Sequence, residues 1–247
     1  MFNVKFFSMQ KLGNEPYENE DSFCYDLGKG KFAIADGATE CCFSKLWATI
    51  LTRHFVESDF SLFSLKKFVK NDVLKALLSF LYTSQRIWIN EIDWTSLKWN
   101  VLEKAKKGAF ASFLGFEMVR EEEYCQWRAI SIGDCCLIHF RSRQLVNSFP
   151  LRDSSEFGNK PEMLPSIALP NIRFRVNYRR GKMRRGENII LATDAVAEWI
   201  LREGKMISIC ETISSLKEEE LRDFFRRLIE DGRMRNDDIT LLILTFM

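Results

Sequence analysis

The residues best suited to chemistry in this sequence are acids, and they fall where strands are expected to end. Asp36 closes the apolar run KFAIAD and is followed at once by Gly37. Glu20-Asp21 begins DSFCYD, Asp134 follows AISIG, Asp194 ends NIILAT, and Asp237-Asp238 opens ITLLIL. A carboxylate at the buried end of an apolar strand is costly unless a positive charge meets it. Carboxylates gathered in one place raise one another's pKa unless cations hold them ionised. All-oxygen ligand sets suit hard ions such as Mg²⁺ or Mn²⁺, and no His or Cys shares this spacing, which argues against zinc. Gly37 offers its carbonyl as one more hard ligand. Glu20 and Asp21, adjacent on an extended chain, point to opposite faces, so only one of them can face an ion directly. Taken singly, each acid also reads as a turn or cap residue; five such sites in one chain make coincidence a poor account.

Strands and helices must place these acids. NVKFF alternates like a strand, and DSFCYD and KFAIAD, joined by a Gly-Lys-Gly turn, read as an antiparallel hairpin. From Ser44 the period changes: Trp47, Leu51 and Phe55 lie four apart, as on one face of a helix. Residues 64–105 continue helical without Gly or Pro. GAFASFLGFEMV, CQWRAISIGDCCLIHF and RQLVNSF return to strand, a loop holding four of the five prolines covers 149–171, and RFRVNYRRGKMRRGENIILATD reads as strand around a basic turn. LKEEELRDFFRRLIEDG is an amphipathic helix and DDITLLILTF a last strand. The order does not alternate βαβ, so the expected class is α+β: a four-layer α/β/β/α sandwich of two antiparallel sheets flanked by helices, one domain over 1–247.

Composition narrows the function classes. The 247 residues are 46% hydrophobic, enough for a sizeable core, and the net charge of +2 is too small to call for nucleic acid or an anionic membrane as partner. No run approaches the roughly 20 apolar residues of a membrane helix. The start, MFNVKFFSMQ, lacks the sustained apolar stretch of a secretory leader. Seven cysteines, odd in number and including two adjacent pairs, read as reduced thiols of a cytoplasmic protein rather than a disulfide framework. The chain is read as a monomer.

Six blocks in series resemble the metal-dependent type 2C protein serine/threonine phosphatases, the PPM superfamily, in a bacterial-like branch. They are NEDSF (19–23), ADGATE (35–40), GAFAS (108–112), IGD (132–134), LATDAVAEWI (191–200) and NDDITLLIL (236–244). Each block is weak alone; together, in order, they span nearly the whole chain. The resemblance implies the same two-sheet sandwich, a phosphoprotein substrate and a binuclear Mn²⁺ or Mg²⁺ centre. By motif, Asp36 bridges the two ions, Glu20 and the Gly37 carbonyl hold one, and Asp194 and Asp237 complete the other. Asp134, with Asp194, matches the site of a third, more weakly held ion. Asp21 and Asp238 orient metal-bound waters from behind. The implied chemistry is in-line attack by a metal-activated water on phosphoserine or phosphothreonine, which makes Asp36, Asp194 and Asp237 the catalytic residues and needs no covalent intermediate.

Two positions depart from the pattern. Where the family places a phosphate-gripping Arg four residues before the motif Glu, this chain has Pro16, and Lys11 is the only cation of that loop. Where many relatives carry a His just after Asp-Gly, it has Ala38. The competing reading is therefore a catalytically weak phosphatase-like module acting by metal-dependent partner binding. A nucleic-acid reading rests only on RRGKMRRG (179–186), which reads as a solvated turn between strands. His54 and His139 read as structural, and 149–171 occupies the place of a flap beside the metals.

Overall fold

In the computed structural model, which describes residues 2–141, 144–158, 161–169, 174–203, 212, 213 and 215–247, the chain builds two antiparallel sheets. One has the order β1 (Phe2–Met9), β11 (Ile239–Phe246), β10 (Glu187–Ala192), β6 (Cys136–Arg141), β7 (Gln144–Phe149). The other runs β2 (Ser22–Asp26), β3 (Lys31–Gly37), β4 (Phe110–Arg120), β5 (Tyr124–Ile132), β9 (Asn177–Arg184), with the two-residue β8 (Leu164–Pro165) paired to the start of β4.

Alternation along the strands sets the layers. On β3, Phe32 and Ile34 face the other sheet, while Ala33 and Ala35 face outward under α1 (Ser44–Glu57) and α2 (Lys70–Glu91). On β10 and β11, Leu191, Leu242 and Leu244 meet the facing sheet, while Ile190, Leu241 and Ile243 meet α4 (Asp194–Glu203) and α5 (Glu218–Glu230). Three apolar layers thus separate four layers of secondary structure, as expected for the α/β/β/α sandwich. Because strands such as β3 and β11 are covered on both faces, their sequences read as nearly continuous apolar runs. Each fully buried Leu, Ile or Phe contributes about 1.5–3 kcal/mol, and this burial clamps helices onto sheets. The Trp47, Leu51 and Phe55 face of α1 is buried against the β3 sheet, as its spacing predicts.

Three boundaries differ from the sequence reading. Residues 64–69 are not helical: α2 begins at Lys70. Side chains from the sheet compete for that backbone, since Glu117 accepts from the Ser61 hydroxyl and the Leu62 amide, and Arg128 donates to the Leu62 and Leu65 carbonyls. Residues 92–98 also break the helix before α3 (Trp99–Ala105), because the Asp93 carboxylate accepts from the Thr95 amide at 3.1 Å and its hydroxyl at 2.6 Å, an Asx turn. CQWRAISIGDCCLIHF is two strands in different sheets, parted at Gly133.

The basic stretch 179–186 is mostly strand rather than turn: Arg179 to Arg184 lie in β9, and only Arg185-Gly186 makes the bend into β10. Strand β9 is a sheet edge, where exposed cations discourage pairing with another chain. The 149–171 segment is irregular apart from a 3-10 turn (Ser154–Glu156) and β8; its residues 159, 160, 170 and 171, and Cys210, lie outside the described residues. The described cysteines are free thiols, with Cys125, Cys135 and Cys136 buried.

Candidate active site

Register gathers the acids. Ser22 pairs with Ala35, Asp36 with Ser112 and Ile132 with Phe113, which puts the start of β2, the end of β3 and the end of β5 at one end of their sheet. In the other sheet Met9 pairs with Ile239, and Ala192 pairs with both Leu241 and Cys136. The two sheets present these ends together, and the connections carrying Glu20-Asp21 and Asp134 cross from one sheet to the other there. Acids that are up to 218 residues apart in sequence, Glu20 and Asp238, are joined directly: the Glu20 amide donates to an Asp238 carboxylate oxygen at 2.7 Å.

Two glycines make the crossing tight. A Cβ on Gly37 would sit 2.9 Å from both the Glu20 carbonyl oxygen and the Ser44 backbone, so only glycine lets the loop and the start of α1 close over the end of β3. Gly133 has φ +92, and a Cβ there would lie 2.5 Å from Ser112 Cβ.

A cavity of about 810 Å³ opens at this end, and its wall includes Asp36, Gly37, Asp134, Asp194, Asp237 and Arg235. Asp36 keeps some solvent contact through it, yet burial first, then the charges of Asp21, Asp194, Asp134 and Asp237, push its pKa well above the carboxylate range. Asp134 is pushed up to about 7, chiefly by burial and next by Asp194. Asp194, at the first turn of α4, accepts from the Ala195 amide at 2.6 Å. Burial raises its pKa and Asp237 adds to this, while Arg235 opposes.

Glu20, Asp21 and Asp238 lie off that wall. The Glu20 carboxylate accepts from the Ser44 hydroxyl. Asp21 is buried, its Oδ2 accepting from the Thr193 hydroxyl at 2.9 Å, and burial, then Asp238, drives its pKa well up. Asp238 spends one oxygen on the Lys11 amide at 2.9 Å and the other on Glu20, while the Asn236 side chain brackets the Leu12 backbone, so 236–238 staple the 10–21 loop down. Within that loop Pro16 opens an exposed 3-10 turn, Pro16–Glu18.

The sequence reading missed Arg235. Its guanidinium donates to an Asp194 oxygen and places Nε 3.4 Å from Asp237. The one signal available was a cation two residues before Asp237, inside a run otherwise noted for acids. The sequence reading also took a Cys-x5-Arg run to be absent, whereas Cys135 and Arg141 have that spacing, the one used by thiol-dependent phosphatases. Residues 136–141 form β6, however, so no loop cradles a phosphate there. The Cys135 thiol is fully buried 2.9 Å from the Ser112 hydroxyl with its pKa pushed well up by burial, and Arg141 is spent on Glu187. Its chemistry is that of a core side chain.

Among the described residues no three His, Cys, Asp or Glu side chains converge closely enough to ligate one ion. Asp194 and Asp237 are drawn onto Arg235, and Glu20 onto Ser44. The donor set still fits a hard divalent cation. It is all oxygen, and Asp21 Oδ1 and Asp134 Oδ1 are enclosed without any hydrogen-bond partner. Carboxylates held in that state require either protons or a cation.

The fold is that of the type 2C serine/threonine phosphatases. The chain is similar to PppA, a key regulatory component of the type VI secretion system in Pseudomonas aeruginosa, at 13% identity and TM-score 0.61, covering 100% of this chain and 98% of that one. It is likewise similar to the catalytic domain of the serine/threonine phosphatase PstP in complex with two manganese ions (13%, TM-score 0.59, covering 99% and 97%) and to Stp1 from Staphylococcus aureus (11%, TM-score 0.60, covering 100% and 96%). No protein-family model and no curated protein matches the chain. Among the described residues no helix is long and apolar enough to cross a membrane.

Proposed function

We propose that residues 1–247 act as one metal-dependent phosphatase domain that hydrolyses phosphoserine and phosphothreonine in proteins. The observation that carries this reading is the knot of buried carboxyls at one end of a type 2C sandwich, opening onto a cavity wide enough for a phosphorylated side chain. Asp36, Asp194 and Asp237, with Glu20 and the Gly37 carbonyl, would hold two Mn²⁺ or Mg²⁺ ions, and Asp134 a third. When bound, such ions supply an acidified water and positive charge beside the phosphoryl oxygens. The chain does the rest. Asp238 and Asn236 fix the 10–21 loop, Thr193 orients Asp21 behind the cluster, and Phe110, Met163 and Phe174 supply apolar wall to the cavity.

A second reading, a phosphatase-like module that binds metal and a partner without useful turnover, draws on Pro16 and on the engagement of Asp194 and Asp237 by Arg235. Mn²⁺-dependent hydrolysis of p-nitrophenyl phosphate separates the two. The hydrolase reading requires a rate that EDTA abolishes and that Asp36→Ala and Asp194→Ala each lower at least a hundredfold. Equal rates in the wild type and both variants would sink it.

A further inference from the structure

Arg235 is the only cationic side chain among the described residues lining the main cavity. Arg152 and Arg175 line a smaller neighbouring cavity of about 580 Å³, which shares Asp134 and Glu162 with the first. Lys11 is fixed by its backbone to Asp238. A phosphate dianion entering the main cavity as the chain stands would meet Asp36, Glu40, Asp134, Glu162, Asp194 and Asp237, and one guanidinium.

That guanidinium is committed to the same two carboxylates that the proposed metal site needs. It donates to Asp194 and faces Asp237 at 3.4 Å, and these charges in turn raise its own pKa against burial. A divalent ion on Asp194 and Asp237 would replace Arg235 as their counter-charge. Arg235 is about two-fifths exposed, so its side chain has room to swing within the cavity. A planar fork with five N–H donors matches phosphate oxygens in pairs, and the bonds are charge-assisted.

We propose that Arg235 is the phosphate-binding residue of this cavity, held by Asp194 and Asp237 until divalent ions claim those carboxylates and release it to the substrate. This rests on the metal-dependent reading above. It assigns the grip that Pro16 leaves vacant to a residue on the opposite side of the chain's sequence, and it couples metal uptake to phosphate binding.

Calorimetry on EDTA-stripped protein tests it, titrating Mn²⁺ first and inorganic phosphate into the Mn²⁺-loaded protein second, for wild type, Arg235→Gln and Arg235→Lys. Removing a competing cation should tighten Mn²⁺ binding by Arg235→Gln about tenfold, and removing the grip should weaken phosphate about tenfold or more. Arg235→Lys, which keeps the charge without the fork, should fall between on both readings. In p-nitrophenyl phosphate hydrolysis the loss should appear mainly in KM. Circular dichroism confirms that each variant is folded, and Arg235→Lys carries the test if Arg235→Gln is not. Unchanged phosphate affinity in folded variants overturns the proposal and leaves Arg235 a structural ion pair. A wild type that binds Mn²⁺ and phosphate, with phosphate lost in Arg235→Gln, but hydrolyses nothing supports this proposal while overturning the hydrolase reading. A wild type that binds no Mn²⁺ overturns both.

Discussion

Replacing Asp134 by Asn should stabilise the metal-free protein at neutral and alkaline pH and leave it unchanged in acid. Asp134 is 5% exposed, one of its oxygens has no partner, and its pKa rises from 3.8 to about 7. The folded state therefore holds this proton more tightly than the unfolded chain does. Below about pH 4 the group is protonated in both states and costs nothing. Between about pH 4 and 7 the unfolded chain ionises while the folded one does not, so stability falls as pH rises, and above 7 the full cost is present. The gap of about 3 pKa units corresponds to about 4 kcal/mol at about 1.4 kcal/mol per unit. For a chain of 247 residues, at about 2 °C per kcal/mol, that is a rise of about 8 °C in the melting temperature of Asp134→Asn. Because burial outweighs the Asp194 charge as the cause, most of the difference should survive high salt. The assay is thermal unfolding in EDTA from about pH 4 to 8, followed by circular dichroism, for both proteins. Melting curves that run parallel across that range would refute the reasoning. With saturating Mn²⁺ the difference at pH 8 should shrink or reverse, because wild type then has a cation for the carboxylate.

Asp36→Asn should likewise raise the melting temperature in EDTA at pH 8, while eliminating the Mn²⁺-induced rise expected of wild type; calorimetry of Mn²⁺ binding reads the second half directly. Gly37→Ala forces a methyl to within 2.9 Å of the Glu20 carbonyl and the Ser44 backbone, and should cost about 1–3 kcal/mol in urea unfolding with weakened Mn²⁺ binding. Asp238→Ala strips the acceptors from the Lys11 and Glu20 amides, a loss of about 3 kcal/mol after relief of its repulsion with Asp21. Limited proteolysis should then cut the 10–21 loop faster than in wild type, and an unchanged cleavage pattern would show that 236–238 do not staple it.

The acids of this site were legible because their cost is local. A carboxylate ending a run such as KFAIAD or NIILAT has an energetic problem visible from its neighbours alone. The central strands were legible for the same reason: covered on both faces, they are predominantly apolar. Helix limits at 64–69 and 92–98 were not, because they depend on Glu117 and Arg128 reaching across from the sheet, and on an Asx turn at Asp93 that overrides helical propensity. The basic stretch at 179–186 looked like a turn for want of apolar alternation, but an edge strand carries exposed cations at no cost.

Sequence by itself pointed to a set of carboxylates suited to a hard ion, and to two antiparallel sheets that would carry them. Tertiary structure decided how those carboxylates are employed. Antiparallel register and two sheet-to-sheet crossings bring Asp36, Asp134, Asp194 and Asp237 to one cavity and turn Asp238 into a staple for the 10–21 loop. The same assembly sets Arg235 between Asp194 and Asp237, a placement that no local pattern encodes. Charge acts through space: which cation meets a buried carboxylate depends on distances that exist only after the sheets have packed.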